Sequence, residues 1–334
     1  MARTRQLNLA EIADYHNIAW ALHRTCRGKS NRADVQQVRS NPQPCLEKIA
    51  AALAAGRLPV GRFKEFIIHD PKRRIIHAAP LLDRIAHHAL LRFMEPIFER
   101  VLLPCVFACR TGKGVHRAIH YAQRQSRRFP WLMHVDVRHY FPSIQHHILR
   151  AQLARRFRGD AMSLVNNVID CHQKDKGVGL PIGALTSQHF ANHYLNDADR
   201  WCLLQKGIRA YIRYMDDMLL WAEDKSVLLE TREALREYLQ KTLGLSIKPV
   251  LVQRSNHGLL FCGMTIRPFS LRPSLRRRRR YLGGLDRWEQ SCKEGLITPN
   301  QLQQAYDAIL SSLKPAHALE FRRRCLQRRE TIDA

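Results

Sequence analysis

Two adjacent carboxylates, Asp216 and Asp217, stand between two short apolar runs, Ala210-Tyr211-Ile212 and Met218-Leu219-Leu220-Trp221. Aromatic and aliphatic residues on either side predict two strands, with the acidic pair at the turn that joins them. Side-by-side carboxylates repel and are costly to desolvate unless a cation neutralises them, so this hairpin tip is a candidate magnesium site. A third acid, Asp136, ends the apolar stretch Leu132-Met133-His134-Val135. From that edge its side chain and the Val137 carbonyl can reach a shared ion. Three carboxylates could hold two magnesium ions, with manganese as a substitute. One ion lowers the pKa of a primer 3′-hydroxyl, and the other clamps a triphosphate and its leaving oxygen. Singly, an Asp at a strand end is more often a cap, and an Asp-Asp pair a solvated turn. The apolar strands on both sides favour the metal.

The protein that carries these groups is strongly basic. Its 334 residues include 55 Lys+Arg against 29 Asp+Glu, a net charge of +26. Such an excess implies a polyanionic partner, either nucleic acid or an anionic membrane surface. No apolar stretch approaches the roughly 20 residues needed to span a bilayer. The first residues open into no apolar signal segment. A cytoplasmic protein is therefore expected, with no membrane partner. Nine cysteines form no CxxC pair, and none of the 17 histidines falls into a zinc-finger spacing; reduced cysteines and no zinc are expected. A metal-binding acid set on a basic chain suggests a polymerase.

The elements around these residues follow from pattern. Residues Ile12 to Leu53 read as helical, with a basic interruption at Arg27 to Arg32, and Arg62 to Ala78 as a hairpin turning at Asp70-Pro71-Lys72. Apolar residues at helical spacing run from Arg84 to Phe98, and a buried strand from Leu132 to Val137. Further helices are expected over His146–Asp170, Ser187–Gln205 and Ser226–Thr242, then short strands around Ser246–Val252 and Gly258–Ile266 and a basic helical tail from Leu275. Strands and helices interleave without βαβ repetition, which predicts an α+β fold.

Tyr214-Met215-Asp216-Asp217 resembles the YxDD box of reverse transcriptases, and the order of surrounding blocks agrees. The Asp136 segment resembles that family's first catalytic-aspartate motif, so Asp136, Asp216 and Asp217 take the catalytic and metal-binding roles. Phe141, five residues on, falls at the family's steric gate, where a ring would collide with a ribonucleotide 2′-hydroxyl and select dNTPs. By itself Phe141 would read as core packing. Lys72 and Arg74 resemble fingers residues that grip the incoming triphosphate, though either could equally be a solvated charge. Arg110-Thr111-Gly112-Lys113-Gly114 resembles a basic loop near template or nucleotide; the spacing of a P-loop is absent. Leu243 to Lys248 resembles the motif whose lysine, here Lys248, is suspected of protonating pyrophosphate. Leu260-Phe261-Cys262-Gly263 resembles the primer-grip turn.

The resemblance implies a right-hand polymerase: an N-terminal helical extension over 1–60, fingers over 61–130, a palm over 131–265 with a fingers insertion near 145–185, and a basic helical thumb over 266–334. The tail of roughly 60 residues is below a typical domain, so no RNase H, integrase or maturase-like extension is expected.

Gly177 to Gln188 points to a subgroup. Most reverse transcriptases carry Gln-Gly where this chain has Ile182-Gly183, and Ser-Pro where it has Ser187-Gln188. The pattern [I/V/L]GxxxSQ resembles reverse transcriptases of diversity-generating retroelements. A glutamine amide beside the nucleotide can hydrogen-bond; isoleucine can only pack. Losing such bonds lowers discrimination by about 1–3 kcal/mol, so a low-fidelity enzyme is expected. In that group errors concentrate opposite template adenines. The resemblance also implies a template-repeat RNA and a basic oligomeric accessory protein. Two alternatives remain: a retron or phage-defence reverse transcriptase, and a maturase-like RNA-binding protein without catalysis.

Arg276, Arg277, Arg278, Arg279 and Arg280 are consecutive, and Arg322-Arg323-Arg324 follow. A charge run is usually a solvated face, but adjacent arginines repel and a phosphate backbone relieves that. Template RNA and RNA–DNA hybrid are the expected ligands.

Overall fold

The computed structural model describes residues 4–69, 73–172, 176–316 and 318–327. Its strands are β1 (Arg5–Gln6), β2 (Lys64–Ile68), β3 (Arg74–Ala78), β4 (Trp131–Asp136), β5 (Phe157–Arg158), β6 (Ile208–Tyr214), β7 (Asp217–Ala222), β8 (Leu251–Arg254), β9 (Leu259–Phe261), β10 (Met264–Arg267) and β11 (Ser270–Pro273). The mixture of helices and mainly antiparallel sheets, with β1 and β5 as a parallel pair, is the α+β class that the sequence implies. No described helix is long and apolar enough to cross a membrane. The chain forms two compact units. Unit 1 holds Met1–Pro104, Val137–Trp201 and Ala234–Lys248; unit 2 holds Cys105–Asp136, Cys202–Glu233 and Pro249–Ala334.

Unit 2 is built on a four-stranded sheet in the order β6-β7-β4-β8, its neighbours antiparallel. Side chains alternate across a strand, so Leu132, His134 and Asp136 share one face. Ala210, Ile212, Leu219 and Trp221 join Leu132 in a core completed by Ala118, Ile119 and Ala122 of the helix Val115–Arg128. A small sheet, β9-β10-β11, adds Leu259, Phe261, Met264, Ile266 and Leu271 to the same core. Beyond it, the helices Leu275–Lys293 and Pro299–Ser311 enclose Tyr281, Leu285 and Leu313. Ser274 caps the first, and a Thr298–Gln301 capping box starts the second.

Unit 1 is mainly helical. The long helix Leu81–Val101 packs against Tyr15–Cys26, Gln43–Ala54 and Leu185–Tyr194. Its apolar face supplies Ile85, Ala89, Leu90 and Met94 to the core, each fully buried. The β2–β3 hairpin is antiparallel and pairs Glu65 with His77.

Three departures from the sequence expectation have local causes. The stretch Gly258–Ile266 is two strands, because Cys262 and Gly263 both take positive φ (48° and 76°), the turn conformation that reverses a hairpin. Ser246–Val252 is no continuous strand: Pro249 cannot donate to a ladder, and pairing resumes only at Leu251. The helix expected over His146–Asp170 is interrupted at β5, where Gly159 (φ 111°) lies so close to Leu7 that a Cβ would sit 2.2 Å from the Leu7 carbonyl oxygen.

Candidate active site

Within unit 2 the three acids converge through strand register. Asp136 closes β4 and lies directly opposite Asp217, the first residue of β7; Asp217 also pairs with Tyr214 across the hairpin. Asp216 and Met215 form the turn itself, with Met215 at φ 57°. The acidic pair thus straddles the turn and the strand, rather than both residues lying in the turn. A non-glycine residue in that region of φ is uncommon and needs support. Arg213 provides it: fully buried, it donates from Nη1 to the Met215 carbonyl at 3.0 Å.

Directly opposed like charges destabilise a sheet. All three acids are half-buried, which weakens solvent screening. His134 is a cationisable neighbour of Asp217, its Nε2 2.5 Å from Oδ1. His134 sits opposite Leu219, so it reaches Asp217 as the diagonal cross-strand neighbour. Hard oxygen donors crowded at a strand end fit a divalent cation such as magnesium.

Two further segments of the same unit are held by internal bonds. The segment after Cys105 runs beside β6: Arg213 donates its N–H to the Cys105 carbonyl, and Phe107 donates to that of Arg213, each at 3.0 Å. The Arg110–Gly114 loop hangs from that segment. Gly114 donates back to the Phe107 carbonyl at 3.0 Å, and the Lys113 ammonium lies 4.7 Å from the centre of the Phe107 ring. At the Cys262-Gly263 turn, Arg277 donates to the Cys262 carbonyl at 2.8 Å and to Ser312 at 2.6 Å. A Cβ on Gly263 would collide with Arg277 at 2.4 Å. Burial raises the Cys262 thiol well above its usual range, and the nearby Asp217 charge adds to it. Burial likewise raises the Tyr214 hydroxyl.

The arginine run divides by role. Arg277 and Arg278 are half-buried and bonded internally, Arg278 to the Pro273 carbonyl at 3.1 Å and over the Phe321 ring. Arg276, Arg279 and Arg280 are exposed.

Other residues singled out by sequence lie in unit 1. Phe141 is half-buried in the short helix Tyr140–Ser143, entered through His139 at φ 48°. Tyr140 anchors this turn by donating to the Ala191 carbonyl at 2.5 Å. The Phe141 carbonyl accepts from Leu180 at 2.9 Å, which joins the Phe141 turn to the strip leading to Ile182. Ile182 accepts at its carbonyl from His77 at 2.8 Å. The next residue must be glycine: Gly183 has φ 121°, and a Cβ there would press on the His77 carbonyl oxygen at 3.0 Å. Gln188 lies half-buried one turn into the helix Leu185–Tyr194. Val137, next along the chain after Asp136, is buried and bridges Ile247, the neighbour of half-buried Lys248. Arg74 is exposed at the start of β3. Lys72 lies outside the described residues, as does the turn Asp70-Pro71.

Sequence reasoning missed Arg213 and His134. His134 was within reach, since two residues before Asp136 on a strand means the same face. Arg213 carried no such signal, because a lone Arg in a strand reads as solvent-facing.

Residues 69–266 match the family described as Reverse transcriptase (RNA-dependent DNA polymerase). Protein YkfC of Escherichia coli (strain K12) is 28% identical, over 58% of this chain and 62% of its own length. The structure of apo telomerase from Candida tropicalis superposes with a TM-score of 0.51 at 10% identity, covering 82% of this chain and 60% of that one. The present chain therefore spans about three fifths of each relative. The telomerase likeness, with the mixed helix and strand architecture, gives the right-hand polymerase fold.

Proposed function

This chain belongs to the reverse transcriptase (RNA-dependent DNA polymerase) family, and from that premise we propose that it copies RNA into DNA from dNTPs, with Asp136, Asp216 and Asp217 as the catalytic acids. The observation that carries this is the register placing Asp136 opposite Asp217 beside the Asp216 turn. These carboxylates, with the Val137 carbonyl, would hold two magnesium ions, which supply charge neutralisation at the triphosphate and a more acidic primer hydroxyl. Arg213 keeps the Met215 turn closed so that both acids of the hairpin stay presented. His134 orients the Asp217 carboxylate through its Nε2 contact.

The remaining roles follow the family resemblance. Phe141 excludes a 2′-hydroxyl by its ring. Arg74 and Lys72 bind triphosphate oxygens, and Lys248 donates a proton to pyrophosphate. Arg110 and Lys113 contact template or nucleotide, and Arg276 to Arg280 lie on the basic thumb that takes phosphates of the hybrid. In this reading residues 1–60 are an N-terminal extension, 61–130 fingers, 131–265 palm and 266–334 thumb.

The subtype we favour is that of diversity-generating retroelements, making error-prone cDNA from a template-repeat RNA with a basic oligomeric accessory protein. Its support is Ile182 at the position of an amide, with Gln188 in place of proline. The test is dNTP incorporation on the cognate RNA, with and without the accessory protein, followed by sequencing. Errors concentrated at template adenines support the subtype. Faithful copying would leave the polymerase and remove the retroelement reading, and a retron-type enzyme would then take its place.

A further inference from the structure

We propose that Glu65, His77 and His172 form a transition-metal site, fitted to Zn²⁺, that fastens the β2–β3 hairpin to the chain following the helix Met162–Asp170. One ligand atom from each residue lies within 4.8 Å of the other two. The ligands come from three separate segments: β2, β3 and the residue two beyond the helix end. Two imidazoles and one carboxylate are a donor set that zinc accepts, with one position left for water. Finger-type spacing rules cannot detect such a site, because its residues are 12 and 95 positions apart in the sequence.

The geometry is close to that of a bound ion. A tetrahedral ion with ligand bonds of about 2.0–2.2 Å keeps its donors roughly 3.3–3.6 Å apart. His77 Nε2 and Glu65 Oε1 are 3.2 Å apart already, and the third donor lies within 4.8 Å of both.

The two imidazoles crowd each other in a way that hydrogen bonding does not explain. Their ring centres are 3.9 Å apart at 55°. His77 Nδ1 is buried and has no hydrogen-bond partner, so Nε2, which faces Glu65, is the ring nitrogen that would take the ion. Phe63 packs edge-on to His172 at 6.0 Å and shields one side. Glu65 is the exposed member, so an ion can enter from solvent.

The site would have a mechanical consequence. The His77 N–H is bonded to the Ile182 carbonyl, and the His77 carbonyl lies where a Cβ on Gly183 would meet it at 3.0 Å. Fixing His77 therefore also fixes the Ile182-Gly183 backbone. The metal is structural in this role and takes no part in nucleotidyl transfer.

The test is metal binding to the full chain after chelator treatment, with millimolar Mg²⁺ present to occupy the carboxylate site. Co²⁺ serves as the spectroscopic probe and Zn²⁺ as its competitor. The expected result is one tight ion, with cobalt d–d bands of nitrogen and oxygen ligation and no sulfur charge-transfer band. Affinity should fall at least about 100-fold in His77→Ala and His172→Ala, beyond what loss of an outer-shell partner costs. Glu65→Gln, at an exposed position that folding does not need, should weaken binding as well. Zinc should raise the melting temperature of the wild type and not of these variants. Binding unchanged in Glu65→Gln and His172→Ala, or a cobalt spectrum with sulfur ligation, would overturn the site. So would a folded wild type with no zinc binding tighter than about 10 μM.

Discussion

The two units handle their buried polar groups in opposite ways. Unit 2 brings acids together: Asp136 faces Asp217 across the sheet, and the next residue back, Asp216, sits in the turn. Unit 1 buries histidines and keeps them neutral. His87 and His193 are each pushed down to about 4 by burial, His87 with Thr186 Oγ1 3.0 Å from its Nδ1. A site of converging like charges needs cations from outside, whereas imidazoles enclosed in the core, as His87 and His193 are, stay neutral without them. On the function proposed above, the ion-dependent chemistry falls to unit 2 and the shape-dependent selection, through Phe141 and Ile182, to unit 1.

The largest effect that would break this assignment is on turnover. Asp136→Asn or Asp216→Asn should lower incorporation of a correct dNTP by at least about 10³-fold, as should chelation of magnesium. Both variants should fold, since asparagine keeps the shape of aspartate and removes a repelling charge. A variant retaining a tenth of wild-type turnover, measured by primer extension, would free that acid from the chemistry.

A change in unit 1 should act on choice rather than rate. Phe141→Ala should raise incorporation of ribonucleotides relative to deoxynucleotides by about 10²-fold, with dNTP turnover nearly kept. Equal loss of both would make Phe141 a packing residue.

Acid should separate the units by stability. A histidine pulled below its unfolded value near 6.5 binds fewer protons folded than unfolded, so its stability is full above about pH 6.5 and declines as pH falls toward 4. Hydrogen exchange at pH 5 should therefore quicken over Leu81–Val101 and Leu185–Tyr194 before β6 and β7. Uniform acceleration would remove the distinction.

The smallest effect concerns the arginine run. Because Arg277 and Arg278 are bonded internally, only the exposed arginines should register as phosphate contacts. Arg279→Gln with Arg280→Gln should reduce the salt slope of RNA binding by up to about two, near one per contact. Arg277→Gln should instead loosen the Cys262-Gly263 turn and leave the slope nearly unchanged.

The acids were legible in sequence because local rules fix them. A YxDD flanked by apolar strands and an aspartate at a strand end need no long-range information. Their register was not legible: that Asp136 meets Asp217 depends on which strands pair. Arg213 shows a second limit, since its side chain bonds the Met215 carbonyl and nothing in the chain near it signals that bond. Turn chemistry explains the strand errors, with Cys262-Gly263 reversing a run that reads as continuous and Pro249 delaying another. The Glu65, His77 and His172 cluster depends on three segments meeting, which spacing alone cannot show.

The division of labour between the units is tested most directly by single-turnover incorporation on an RNA template, with each dNTP offered opposite adenine. The account predicts that Asp217→Asn loses all incorporation, correct and incorrect alike. It predicts that Ile182→Gln keeps the correct rate and improves discrimination roughly tenfold to a hundredfold. An Asp217→Asn enzyme that still extends DNA, or an Ile182→Gln enzyme with unchanged errors opposite adenine, would contradict it.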